Sequence, residues 1–253
     1  MLFRSPADDA QVLIRYINDT IAGMVARSPK RFVGLGGVPL QDVDMAIREL
    51  EYVVRDLKFA GVELASHVEG VSIGDPRFEP FFKRVVELDA AVFVHALRPA
   101  GQDRIVGPVA EQAACFPGDV ALAATSMITG GIAARNPGLR IAFSHGGGAM
   151  VNLIPRLNRA WETNDKLKAA LPEMPGVYAK RFFYDTVVFD PQLLAHLVHL
   201  YGKTQICVGS DFPFTMGDPD PVSTVIAAGL DADTIAHLLQ LNARRFLGAR
   251  APA

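Results

Sequence analysis

Six short apolar runs divide this chain, and each closes in glycine or a polar residue. They are "RFVGLGGVPL" from Arg31, "GVELASH" from Gly61, "AVFVHA" from Ala91, "LRIAFSHGG" from Leu139, "RFFYDTVV" from Arg181 and "QICVGSDFPF" from Gln205. Mostly apolar runs of this length read as strands covered on both faces. Helical patterns fill the intervals: "VDMAIRELEYVVRDL", "RFEPFFKRVVELDA" and "DPQLLAHLVHLYG", the last opening with Asp190 as a cap and Pro191 at the first helical position. Strands alternating with helices imply parallel pairing through right-handed crossovers. A further helix is expected over the first 28 residues. Leu13, Ile17, Ile21 and Val25 recur there every fourth residue, with a start at Asp8 or Asp9 and a stop at Ser28-Pro29. The most apolar stretch, "VALAATSMITGGIAA" from Val120 to Ala134, reads as a buried helix, too short and too interrupted to span a bilayer.

The polar residues that end the runs gather at one end of the expected sheet: His67, His95, His145, Asp185 and Asp211. A (β/α)8 barrel places its chemistry on that face, whereas an open doubly wound sheet uses one switch point. Candidates on five strand ends favour the barrel, a TIM-barrel-like α/β fold. Only about six of its eight βα units are present. Two units, about 60 residues at roughly 30 per unit, have no counterpart. No repeat or low-complexity linker interrupts the pattern, so residues 1–253 are expected to form a single, N-terminally incomplete barrel domain.

A net charge of -2 gives no electrostatic reason to expect nucleic acid or an anionic membrane as partner. The two cysteines, Cys115 and Cys207, lack CxxC spacing, which argues against a disulfide framework or a thiolate zinc site. "MLFRSPADDA" lacks the layout of a signal peptide. A soluble cytoplasmic protein is expected.

Taken singly, the candidates have ordinary readings. His95 in "VFVHALRP" fits a satisfied histidine at a core edge, and Asp211 in "VGSDFPF" fits a turn cap. His145 has the most unusual setting, because three glycines follow it and let backbone approach a ligand or leave N–H groups for an anion. Together, His95, His145 and Asp211 on three strand ends suit a metal with general acid/base chemistry. His67 has only its strand-end position. His196, His199 and His237 lie in amphipathic helices, and Arg156 reads as a solvated helix residue. Cys207 reads as a small buried hydrophobe. "GLGG" at Gly34 fails the dinucleotide fingerprint, and without a GxSxG elbow "HGGG" does not indicate a serine hydrolase.

"SPKRFVGLGGVPLQ", "AVFVHALRP", "SMITGG", "LRIAFSHGGG" and "VGSDFPF" stand in the order and spacing of a known family. From about Tyr16 through "NARRFLG" the chain resembles the amidohydrolase-related decarboxylases of the aminocarboxymuconate-semialdehyde type. The resemblance implies a (β/α)8 barrel with one divalent metal, usually zinc. It assigns metal ligation to His95 and Asp211 and the acid/base role to His145. Arg156 becomes the arginine that reaches the substrate carboxylate of a neighbouring subunit, implying at least a dimer. The family's His-x-His pair on strand one has no match, nor does a further substrate-binding arginine. "HALRP" also replaces the family's tryptophan after the strand-five histidine.

Two protein ligands rarely hold zinc, and a six-stranded remnant would expose two sheet edges. A start codon placed too late, a true truncation, or closure by another chain would each account for the gap. The first is expected, since Met1 falls in a connecting segment and the later site positions are present. The expected activity is metal-dependent decarboxylation of a small unsaturated or aromatic carboxylic acid. The alternatives are a hydrolase or hydratase using the same site, and a catalytically impaired homologue or assembly partner.

Overall fold

The computed structural model describes residues 5–99 and 101–251. Helix α1 (Ala7–Arg27) leads into β1 (Leu35–Gly36), α2 (Val43–Arg55), β2 (Gly61–Ala65), and a hairpin of β3 (His67–Val68) and β4 (Val71–Ser72). Then come α3 (Glu79–Glu87), β5 (Ala91–His95), α4 (Phe116–Thr129), α5 (Ile132–Arg135) and β6 (Arg140–Phe143). After these follow α6 (Met150–Thr163), α7 (Asp165–Ala170), α8 (Pro175–Ala179), β7 (Phe183–Asp185), α9 (Pro191–Tyr201) and β8 (Ile206–Cys207). Helices α10 (Pro221–Ala227), α11 (Ala232–Ala236) and α12 (Asn242–Leu247) end the described fold.

The six expected runs form one sheet in the order β1-β2-β5-β6-β7-β8, with every neighbour parallel. Period-2 alternation splits its side chains between two cores. Val62, Leu64, Val92, Val94, Ile141, Phe143, Tyr184 and Ile206 pack under the helices in the larger one. Ala91, Phe93, Ala142, Phe183 and Cys207 lie on the inner face, where Leu35 and the α12 residues Phe246 and Leu247 join them. The Phe183 and Phe246 rings sit 5.4 Å apart and floor this inner face at the end away from the strand termini. Edge strands β1 and β8 are two residues each, shorter than their apolar runs, because no strand among the described residues pairs with their outer sides. Short edges limit the unpaired backbone they present.

Helix α1 forms where expected but starts behind Pro6 rather than at Asp8 or Asp9, and it docks through a different stripe. Ala10, Ile14 and Asn18 are buried, whereas Leu13 is exposed. Polar groups decide this face. Buried Asn18 donates to the Gly37 carbonyl and to Glu49, and accepts from the Gly37 N–H at 2.8 Å. Glu49, buried in α2, also takes Arg15 and Gln11 of α1. Leaving those partners unsatisfied would cost more than the apolar stripe gains by rotating. The long apolar helix also differs from expectation. It runs as α4 from Phe116 and breaks at Gly130–Gly131, where Gly131 adopts φ +79°, before α5. The β3–β4 hairpin was not anticipated, since its turn, Glu69-Gly70, lacks the usual Asn-Gly or Asp-Gly signal though both residues take positive φ.

Asn18→Ala is expected to lower the unfolding free energy by about 2 kcal/mol, since it removes the side-chain partner of both Gly37 backbone groups and one of the donors to Glu49. In a chain of this size that is a fall of roughly 4–8 °C in Tm, readable by thermal denaturation.

Candidate metal and catalytic centre

Parallel pairing brings the C-terminal ends of β5, β6 and β8 to one mouth. His95 ends β5, His145 follows β6 after Ser144, and Asp211 follows β8 by four residues. Each offers a ligand atom, and these atoms lie within 4.8 Å of one another. Nε2 of His95 is 4.0 Å from Oδ1 of Asp211, and the His95 and His145 rings stand 5.0 Å apart at 71°. On His95, Nδ1 lies 2.8 Å from the Ala96 carbonyl. A carbonyl can only accept, so Nδ1 carries the proton and Nε2 presents its lone pair toward Asp211. Two imidazoles and a carboxylate converging in this way fit a divalent cation. His145 and Asp211 both hold left-handed backbone, φ +55° and +58°, a costly state for residues with a Cβ.

The turn at His145 explains its glycines. Strand alternation would aim His145 at the helices, because Ala142 faces inward and Phe143 outward. The left-handed turn swings the ring over the inner mouth instead. Asp185, at the end of β7, stabilises the turn by accepting the Gly146 N–H at 2.8 Å and the Val187 N–H at 3.0 Å, with the His145 N–H turned toward it as well. Thus the concave set of N–H groups is filled from within by a carboxylate, not left open for an external anion. A Cβ on Gly146 would lie 2.6 Å from Val188, and one on Gly148 would lie 1.8 Å from the Pro117 carbonyl. Neither position tolerates a side chain.

Electrostatics separate the acids and bases. Burial lowers the pKa of His145 while Asp211 opposes the shift, so the ring is neutral and able to accept a proton near pH 7. Burial pushes Asp185 up to about 6 despite its three backbone donors. Glu63, on the inner face of β2, reaches solvent, yet partial desolvation by the surrounding chain raises its pKa, with His95 favouring its charge and Asp211 opposing it. Burial and the Asp185 charge push Cys207 up to about 12, so it is a protonated thiol, as the packing reading expected.

A cavity of about 740 Å³ opens above the trio. Phe116, Val151, Val188 and Leu197 give it apolar walls, while Gln112 and Asn152 add polar groups. The other strand-end candidates do not join it. His67 braces the hairpin, accepting the Gly70 N–H on Nδ1 and facing the Arg98 carbonyl with Nε2 at 3.1 Å. Asp185 is the buried anchor just described. His196 and His199 are exposed on α9, and His237 pairs with Asn242. Arg156 is exposed on α6 and does not line the cavity. Glu63 was missed in the sequence, although an acid amid an apolar run was the signal.

The amidohydrolase family model matches residues 4–249. The chain belongs to the amidohydrolase family. It is 35% identical over 242 residues to a 2-amino-3-carboxymuconate-6-semialdehyde decarboxylase of Dictyostelium discoideum, covering 95% of this chain and 67% of that protein. The crystal structure of 5-carboxyvanillate decarboxylase from Sphingomonas paucimobilis superposes with a TM-score of 0.88 at 27% identity, covering 97% of this amidohydrolase and 75% of that chain. A 5-carboxyvanillate decarboxylase of Novosphingobium aromaticivorans, solved with manganese and 4-hydroxy-3-methoxy-5-nitrobenzoic acid, gives 0.84 at 25% identity, covering 96% and 72%. The chain spans about two thirds of the length of the curated relatives it matches. Its open six-stranded sheet is accordingly part of the barrel wall that such folds close.

The raised pKa of Asp185 fixes the sign of a pH effect. The folded chain binds this proton more tightly than the unfolded one, from about 6 against 3.8, so ionisation costs stability as pH rises through 6. Asp185→Asn lacks that titration. Between pH 4 and pH 7 the unfolding free energy of the unmodified chain should fall by roughly 2 kcal/mol relative to the Asn variant. Paired urea titrations measure the difference, and a gap independent of pH would contradict it.

Proposed function

We propose that this amidohydrolase is a metal-dependent decarboxylase of a small aromatic or unsaturated carboxylic acid. The convergence of His95, His145 and Asp211 beneath a largely apolar cavity carries the reading. His95 and Asp211 would hold the cation, which when bound supplies Lewis acidity toward a substrate oxygen. The cavity volume suits a single small molecule. Its apolar walls exclude water from the reacting carboxylate, and departing CO2 is neutral, so charge leaves the carboxyl group as the bond breaks. His145, neutral near pH 7 and fixed over the mouth, takes a proton from water and passes it to the substrate carbon as CO2 departs.

Zinc was expected and manganese accompanies a solved relative. Imidazole with carboxylate accommodates either, and manganese is the better first choice for loading. Arg156, exposed on α6 and away from its own cavity, fits the reading of a homodimer in which it serves the neighbouring site. No helix among the described residues is long and apolar enough to cross a membrane, and Cys115 and Cys207 are both free thiols. A cytoplasmic setting and a small-molecule partner, rather than nucleic acid or membrane, accord with these features.

With manganese supplied, CO2 release from a panel of hydroxybenzoates and muconate-type acids tests the reaction. Hydrolysis or hydration of ester, amide or enoic analogues without CO2 release would assign the site to the alternative chemistry. His145→Ala is expected to lower turnover by roughly 10²–10⁴-fold while leaving metal per chain nearly unchanged. His95→Ala and Asp211→Ala should instead lose the metal. Near-normal turnover in His145→Ala would remove it from the proton-handling role.

A further inference from the structure

Strand β2 is hydrogen-bonded on both sides, to β1 and to β5, yet its burial runs buried, buried, exposed, buried, buried. The exposed residue is Glu63. An interior strand of a parallel sheet normally carries apolar side chains throughout. The register locates the exception. Glu63 pairs with Phe93, and two residues further along Ala65 pairs with His95. Glu63 therefore sits on the same face as His95, one layer below it, about 6.6 Å along the strand.

Its neighbours on that face are apolar: Leu35, Ala91, Phe93, Ala142 and Phe183. Among the described residues Glu63 makes no hydrogen bond and no ion pair. Two polar neighbours act on it: His95 favours its ionisation and Asp211 opposes it. Water reaches this carboxylate, but among the described residues no donor or cation pairs with it, and Asp211 opposes its charge. A divalent cation between His95 and Asp211 would reverse that balance. Asp211 alone leaves such an ion with one uncompensated positive charge, and a second carboxylate brings the centre to neutrality.

We infer that Glu63 is the second carboxylate of the cation centre, placed below His95 and Asp211 to compensate the bound ion. The role rests on the metal reading above. It leaves His145 free of ligation and available for proton transfer. The side chain is solvent-exposed, so it can change rotamer without disturbing the core.

Manganese binding to the purified chain, followed by calorimetry and by the electron paramagnetic resonance of the free ion, tests this without any turnover assay. Glu63→Gln is expected to weaken manganese binding by about 10–100-fold. Glu63→Asp, which keeps the charge, should recover most of the affinity. Glu69→Gln, a charge lost on the exposed β3–β4 turn, should leave it unchanged. In chelator, Glu63→Gln should melt no lower than the unmodified chain, because there the carboxylate has no partner. Unmodified affinity in Glu63→Gln, with binding lost in Asp211→Ala, would overturn the role of Glu63 while leaving the centre intact. Absence of stoichiometric manganese on the unmodified chain would overturn the centre and Glu63 with it.

Discussion

Alternation along β6 sends Phe143 toward the helices and Ser144 inward, so a continued strand would bury His145 among the outer side chains. The placement of the His145 ring depends on breaking that alternation at one residue. The break is a left-handed turn, His145 at φ +55° followed by three glycines also at positive φ. The Asp185 carboxylate stabilises it from the adjacent strand. Three converging N–H groups offset the cost of burying that charge only in part, which is why its pKa is pushed up to about 6. Stability is thus lower at neutral pH than it would be with a neutral residue that made the same contacts, while the histidine ring stands over the mouth.

Around that turn, the molecule keeps two kinds of interior apart. Helix-facing strand residues are large and apolar, and they bury the greater part of the core. The inner face is smaller and floored by Phe246, and its polar groups lie toward the C-terminal ends of the strands. Glu63 departs from this division. An acid at the middle of a central strand makes sense when the centre above it holds positive charge, and the same argument makes neutral His145 consistent with a proton-accepting role.

The matched relatives extend beyond this chain, which spans about two thirds of their length. What the described residues contain is nonetheless coherent: a parallel wall, a cavity of about 740 Å³, and three ligand atoms within 4.8 Å. Arg156 is exposed on α6 and does not line that cavity.

The sequence by itself determined the six strands, their parallel sense and the identity of the trio, because apolar runs and their polar ends are local features. His95 and Asp211 could be read as candidate ligands from strand-end position, and Asp190 with Pro191 as a helix start from capping chemistry. Tertiary structure alone decided which strand-end polar groups meet. Asp185 and His145 occupy similar positions in their runs, yet one became the buried anchor and the other a half-buried ring at the cavity mouth, because neighbouring strands set their register and a non-local carboxylate set the turn. The same holds for α1, whose docking face was chosen by Asn18 and Glu49 across 31 residues of sequence. Hydrophobic period fixes that a face will be buried; paired polar groups, which cost dearly when left alone, fix which face and where.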